Sequence, residues 1–151
     1  MIEKWDKRFL TLAKLIASWS KDPSTKTGAV IVSPDRSIIS CGYNGFARGV
    51  EDDPVRYADR DLKYKLVVHA ERNAIIFAQK SIREATIYVW PWMPCAPCAG
   101  MVIQSGIERC VSLINLNPRW QEDFDLTKMM FKEAGVRLDL YKEDFLSEQV
   151  G

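Results

Sequence analysis

The sequence predicts an α/β domain in which a mixed sheet carries helices on both faces. Two observations lead there. The elements run as a helix, a hairpin and then repeated helix–strand units. The composition is 47% hydrophobic and 27% charged, which is that of a globular chain able to bury a core. No repeat, low-complexity segment or linker divides residues 1–151, so they are expected to form a single domain.

Each element has its own signal. Between about Trp5 and Trp19, Phe9, Leu12, Leu15, Ile16 and Trp19 recur at helical spacing. Lys21-Asp22-Pro23-Ser24-Thr25-Lys26 reads as a loop. Residues 28–32 form an apolar strand, Pro34-Asp35-Arg36 a turn, and residues 37–43 the returning strand of a hairpin. From Asn44 to about Lys63 the chain is polar, with Gly45, Gly49, Pro54 and the acids Glu51, Asp52 and Asp53. It reads as a long loop of the kind that often carries function. A helix is expected over 70–79, a strand over 86–90, and a helix over 95–104 closed by Gly106. A strand follows over 110–114, then a helix over 126–134 closed by Gly135, and a last strand over 136–140.

Charge and composition exclude several classes. The net charge of +1 argues against a protein that coats nucleic acid, although a small anion needs only a few local cations. No apolar run approaches a membrane span, and the first residues lack a leader pattern, so a cytoplasmic protein is expected. In a reducing compartment a close cysteine pair points to metal or redox chemistry rather than a structural disulfide.

That pair is Cys95 and Cys98, in Pro94-Cys95-Ala96-Pro97-Cys98. At a helix start, three residues apart, their sulfurs share one face. His69, the single histidine, stands at the start of another helix, with Glu71 two residues on. A catalytic zinc takes three protein ligands and leaves a fourth position for water. Helix N-termini favour thiolates. A Cys-x-x-Cys alone also suits a redox pair or half of a four-ligand structural site. The remaining cysteines, Cys41 and Cys110, fall in strands, where cysteine usually packs as a small hydrophobe. With His69 and Glu71, the pattern matches the His-x-Glu…Pro-Cys-x-x-Cys signature of zinc deaminases. One zinc per chain would make hydroxide available at neutral pH for attack on C4 of cytosine. Glu71 would take the water proton, deliver it to N3 and pass a proton to the departing ammonia.

Over most of its length the chain resembles the deoxycytidylate (dCMP) deaminase family. The residues that carry the resemblance are 20–32, from Ser20-Lys21-Asp22-Pro23 to Val32, and Gly42-Tyr43-Asn44-Gly45-Phe46. Val68-His69-Ala70-Glu71-Arg72-Asn73-Ala74-Ile75, Pro94 to Ala99 and Ile103 to Ile107 continue it. The resemblance implies a three-layer α/β/α fold with a five-stranded mixed sheet, and hydrolysis of dCMP to dUMP. It also implies a homo-oligomer such as a hexamer, with dCTP and dTTP as effectors and Mg²⁺ beside the triphosphate. By the same resemblance Asn44 contacts the sugar, Ala70 and Pro94 offer backbone groups to the base, and Trp90 packs near it. Lys21 and Ser24 are the candidate phosphate contacts. Two departures bear on regulation. Ser112 stands where regulated members commonly have an aromatic residue, and one histidine leaves none for a second, structural zinc.

Other readings stay open. Trp90, Trp92 and Trp120 suit base stacking or core packing. The run Glu51-Asp52-Asp53 suits a solvated loop, an oligomer contact or a magnesium site. Deamination of dCTP, CMP or tRNA adenosine uses the same zinc motif. A non-enzymatic zinc-bound nucleotide sensor would have no use for Glu71.

Overall fold

The computed structural model describes residues 2–147 of the chain. Helix α1 (Ile2–Ala17) buries Phe9, Leu10, Ala13, Ile16 and Ala17, whereas Leu15 and Trp19 are each 55% exposed. The helix is therefore rotated from the stripe its large residues predict. The reason is a close approach: a methyl group on Gly28 would fall 2.1 Å from the carbonyl oxygen of Ala13 and 2.7 Å from the amide of Ala17. Small residues on both sides let the backbones meet, and that contact turns Ala13 and Ala17 inward.

Strands β1 (Gly28–Val32) and β2 (Ile38–Tyr43) form the expected antiparallel hairpin, Gly28 opposite Tyr43. The stretch expected as a loop is more ordered than that. It holds β3 (Gly45–Phe46), α2 (Pro54–Ala58) and α3 (Arg60–Leu66), and leads into β4 (Val67–Val68). Asp53 and Asp59 are the N-caps, accepting from the amides of Val55 and Leu62, and Pro54 opens α2. These polar residues are thus helix starts rather than loop filling. β3 and β4 pair with Gly45 opposite Val68, which sets Asn44 beside His69.

Helix α4 (Ala70–Phe77) and β5 (Thr86–Trp90) follow, then α5 (Ala96–Gln104) and β6 (Arg109–Leu113). Helix α6 (Gln121–Ala134) ends on Gly135 at φ 78°, as expected, and precedes β7 (Arg137–Tyr141). α6 starts five residues before its apolar pattern does, because a short 3-10 turn at Pro118–Trp120 feeds into it.

The main sheet has five strands in the order β2-β1-β5-β6-β7. β1 is antiparallel to both its neighbours, and β5, β6 and β7 are parallel. One face carries α1, whose Phe9 and Leu10 pack with Val30, Val32, Tyr88 and Val111 of the sheet. The other carries α4, α5 and α6 over Ala29, Ile31, Ile87, Val89 and Cys110. This is the three-layer arrangement with a mixed sheet that the sequence leads to. Strand alternation explains the split, since successive side chains point to opposite faces. No helix among the described residues is long and apolar enough to cross a membrane.

A buried charge cluster pins α1 to the sheet. Asp6 is fully buried and accepts from Arg109 Nη1 at 2.8 Å and Nη2 at 2.6 Å, from Tyr88 Oη at 2.9 Å and from Tyr141 Oη at 2.5 Å. Arg109 Nε also donates to Asp139 at 2.7 Å.

Candidate active site

Two helix starts on the same face of the sheet build the site. His69 is the N-cap of α4 and Cys95 the N-cap of α5. Neither side chain caps its own helix, so both are available to something else. Cys98 lies one turn into α5 and is fully buried. His69 Nδ1 is 3.2 Å from Cys98 Sγ and 3.5 Å from Cys95 Sγ. The three donor atoms lie within 4.8 Å of one another, and no other such trio occurs among the described residues. Tetrahedral zinc with bonds of roughly 2.0–2.3 Å holds its ligands a little under 4 Å apart. The donor set and its spacing fit that ion.

Glu71 points from the first turn of α4 and is 5% exposed. Burial raises its carboxyl above the usual range, and the charge of His69 works against that rise. A buried carboxyl with a raised pKa suits proton transfer near neutral pH. Without metal, a hydrogen bond from the Cys98 thiol, helped by His69, pulls the Cys95 thiol down to about 4, while Cys98 is pushed up as the donor.

Several supporting residues carry no motif of their own. Arg72 Nε donates to Cys98 Sγ at 3.3 Å, bringing a positive charge to the thiolate side. Its signal was its place one helical turn beyond His69. Asp123, in the first turn of α6, accepts from the amide of Ala96 at 3.4 Å. Thr127 donates to the carbonyl of Pro94 at 2.8 Å, which holds the cysteine loop against α6.

The residues expected to contact nucleotide divide. Ala70 opens α4 with its side chain buried, and Pro94 is fully buried beside Cys95. Asn44 is 6% exposed, and its amide is committed within the protein. Oδ1 accepts from the Thr27 amide at 2.8 Å, and Nδ2 donates to the Thr25 carbonyl at 2.9 Å and to Asp22 at 3.5 Å. Ser24 Oγ accepts from Lys63 Nζ at 2.7 Å, and Lys63 pairs with Asp22 at 3.3 Å in a buried knot. The Lys21 side chain is 70% exposed and pairs with Asp52 at 3.0 Å. Trp90 packs with the α1-side cluster, with Lys14 Nζ 5.8 Å from its ring, on the sheet face opposite α4 and α5. Two of the three acids at 51–53 are also engaged: Asp52 by Lys21 and Tyr57, and Asp53 as a helix cap. Ser112 is fully buried and donates to the Val89 carbonyl at 2.7 Å.

Residues 3–114 match the cytidine and deoxycytidylate deaminase zinc-binding region. The chain is 41% identical over 149 residues to an uncharacterized deaminase in the luxG 3′ region of Aliivibrio fischeri, covering 97% of this chain and 99% of that one. It is 36% identical over 141 residues to the deoxycytidylate deaminase of Mus musculus, covering 88% of this chain and 77% of that one. The human deoxycytidylate deaminase is 35% identical over the same shares. In fold it is similar to the dCMP deaminase of the cyanophage S-TIM5, with a TM-score of 0.69 at 21% identity, over 89% of this chain and 95% of that one.

Proposed function

The chain belongs to the cytidine and deoxycytidylate deaminase family, and on that premise we propose that it hydrolyses dCMP to dUMP and ammonia. The observation that carries the reaction type is the buried Glu71 set two residues from His69, whose Nδ1 faces both Cys95 and Cys98. The substrate rests on the mouse and human deoxycytidylate deaminases, whose likeness spans 88% of this chain.

His69, Cys95 and Cys98 would hold a zinc ion, which when bound would lower the pKa of water enough to make it a nucleophile at neutral pH. The protein's own groups do the rest. Glu71 takes one proton from the attacking water and gives it to N3 of the cytosine. Glu71 then takes the second from the hydroxyl now on C4 and delivers it to the amino group, which leaves as ammonia while C4 becomes a carbonyl. Its burial keeps that carboxyl basic enough to accept the proton and acidic enough to return it. Arg72 offsets the negative charge of the thiolates through Cys98. The knot of Asp22, Ser24, Asn44 and Lys63 holds the 20–27 loop beside His69 and so shapes the wall on the sugar side.

The test is ammonia release from dCMP, cytidine, dCTP and a tRNA anticodon stem-loop. Turnover of dCMP is the expected result. Turnover of the RNA alone overturns the reading.

A further inference from the structure

The cation expected to meet the substrate phosphate, Lys21, is occupied by Asp52 on the surface. Another cation is tied to the segments that carry the metal-site residues, and three chain segments converge on it. Arg119 lies in the 3-10 turn before α6, with its guanidinium 4.7 Å from the Trp120 ring. Trp120 stacks on Trp92 at 6.2 Å and 27°, and Trp92 is three residues before Cys95. Trp120 is also the N-cap of α6, whose Asp123 touches the amide next to Cys95. From the other side, Arg119 Nη2 meets the hydroxyl of Tyr64 at 3.4 Å, and Tyr64 stands on α3, five residues before His69. Arg119 therefore bridges the segment that delivers His69 and the segments that deliver Cys95.

Its environment suits an anion. Arg119 and Trp120 form a cation–aromatic pair at the surface, and Tyr64 is half exposed, so the guanidinium is reachable from solvent. The neighbouring carboxylate, Asp123, is engaged by the Ala96 amide. Within hydrogen-bond distance the guanidinium meets a neutral phenol, that of Tyr64, which a phosphate with its charge and several acceptors would displace. The indoles of Trp92 and Trp120 give a flat apolar wall beside it.

We infer that Arg119, backed by Trp92 and Trp120, is the subsite that binds the 5′-phosphate of the nucleotide. The inference rests on the deamination reading for the identity of the ligand. It assigns to Arg119 the selectivity for nucleotide over nucleoside, and to Lys21 a surface ion pair.

Calorimetric binding of dUMP and of deoxyuridine to the zinc-loaded protein tests it, alongside kcat and KM for dCMP. In Arg119→Gln, dUMP affinity should fall by about tenfold or more, deoxyuridine affinity far less, and the loss should appear in KM rather than kcat. Arg119→Lys should recover part of the loss, and Lys21→Gln should keep the wild-type ratio of dUMP to deoxyuridine affinity. Equal losses for both ligands, no loss for either, or a collapse of the ratio in Lys21→Gln would overturn the assignment. A wild-type protein that binds dUMP selectively through Arg119 yet turns over no dCMP would instead count against deamination and leave the subsite standing.

Discussion

His69 Nδ1 lies 3.2 Å from Cys98 Sγ, although the two residues enter from the first turns of different helices. α4 and α5 pack on one face of the sheet and present their N-termini to a common point. The metal site is thus a product of the topology, and its ligands need no rearrangement to meet.

Zinc binding should release protons. Metal-free, Cys98 holds the thiol proton it donates towards Cys95, and the bond to Cys95 raises the pKa of His69. Each ligand must lose its proton to coordinate. A raised His69 pKa means that protonated imidazole persists to higher pH, so zinc affinity should weaken as pH falls from 8 to about 6. Competition with a chromophoric chelator at the two pH values measures this. An affinity independent of pH would show that other groups bind the ion.

Glu71→Gln should keep the fold and one zinc per chain while lowering kcat by about a hundredfold or more. The amide is isosteric with the carboxyl but cannot carry a proton between water, N3 and the leaving amine. Metal analysis and ammonia release on the same preparation separate the two effects. Retention of most activity would remove Glu71 from the mechanism.

The metal-site residues were legible because they are local in sequence: His69 with Glu71, and Cys95 with Cys98, each on one helix start. The hairpin, the strands and the α6 stop at Gly135 were equally local. The rest depended on distant partners. Nothing near Asn44 in the sequence shows that its amide is taken by Thr25 and Thr27, or that Lys63 is buried against Asp22. Residue size alone points to the wrong face of α1, because Gly28 makes the smallest residues of the helix the point of contact. Helices α2 and α3 are short and polar and carry no apolar period, so only the caps Asp53 and Asp59 mark them in the sequence.

Asp6→Asn should destabilise the protein by up to about 3 kcal/mol, since it removes the buried counter-charge of Arg109 and leaves only the part-exposed Asp139 to pair with it. The wild type should also lose stability in acid. Burial alone would raise the Asp6 pKa, but bonds from Arg109, Tyr141 and Tyr88 outweigh it and hold the carboxyl below its ordinary value. A depressed carboxyl contributes above its unfolded pKa, and the contribution is lost as pH drops through the folded one. Denaturant titrations at pH 7 and pH 3 should show a smaller gap between wild type and Asp6→Asn at the lower pH. A constant gap would mean that the charge of Asp6 contributes nothing.

Gly42→Ala should damage the metal site from a distance. A methyl group there would fall 2.5 Å from the amide of Ala74 and 2.6 Å from the carbonyl of Ala70, both in the backbone of α4. The helix must move off the sheet, and His69 at its cap moves with it. A cost of about 1–3 kcal/mol in stability is expected, with weaker zinc binding. Gly100→Ala is the control: outside its own helix, a methyl group there would meet only the flexible end of Met130 at 3.6 Å, so stability should hold or rise by up to about 1 kcal/mol.

Asn44→Ala separates a framework role from a sugar contact. The Asn44 side chain satisfies the Thr27 amide and the Thr25 carbonyl, and its own carbonyl accepts from Ser20 Oγ at 2.8 Å. Removing the amide leaves two part-buried backbone groups without their partner, at about 1 kcal/mol each. Because the 20–27 loop is tied to this residue, KM for dCMP should rise together with the loss of stability. Asn44→Asp keeps an acceptor for the Thr27 amide but sets a second carboxylate against Asp22, so it should be no more stable than Asn44→Ala at pH 7. Denaturant midpoints measured beside KM decide the matter. A raised KM at unchanged stability would assign Asn44 to the sugar directly and remove it from the framework.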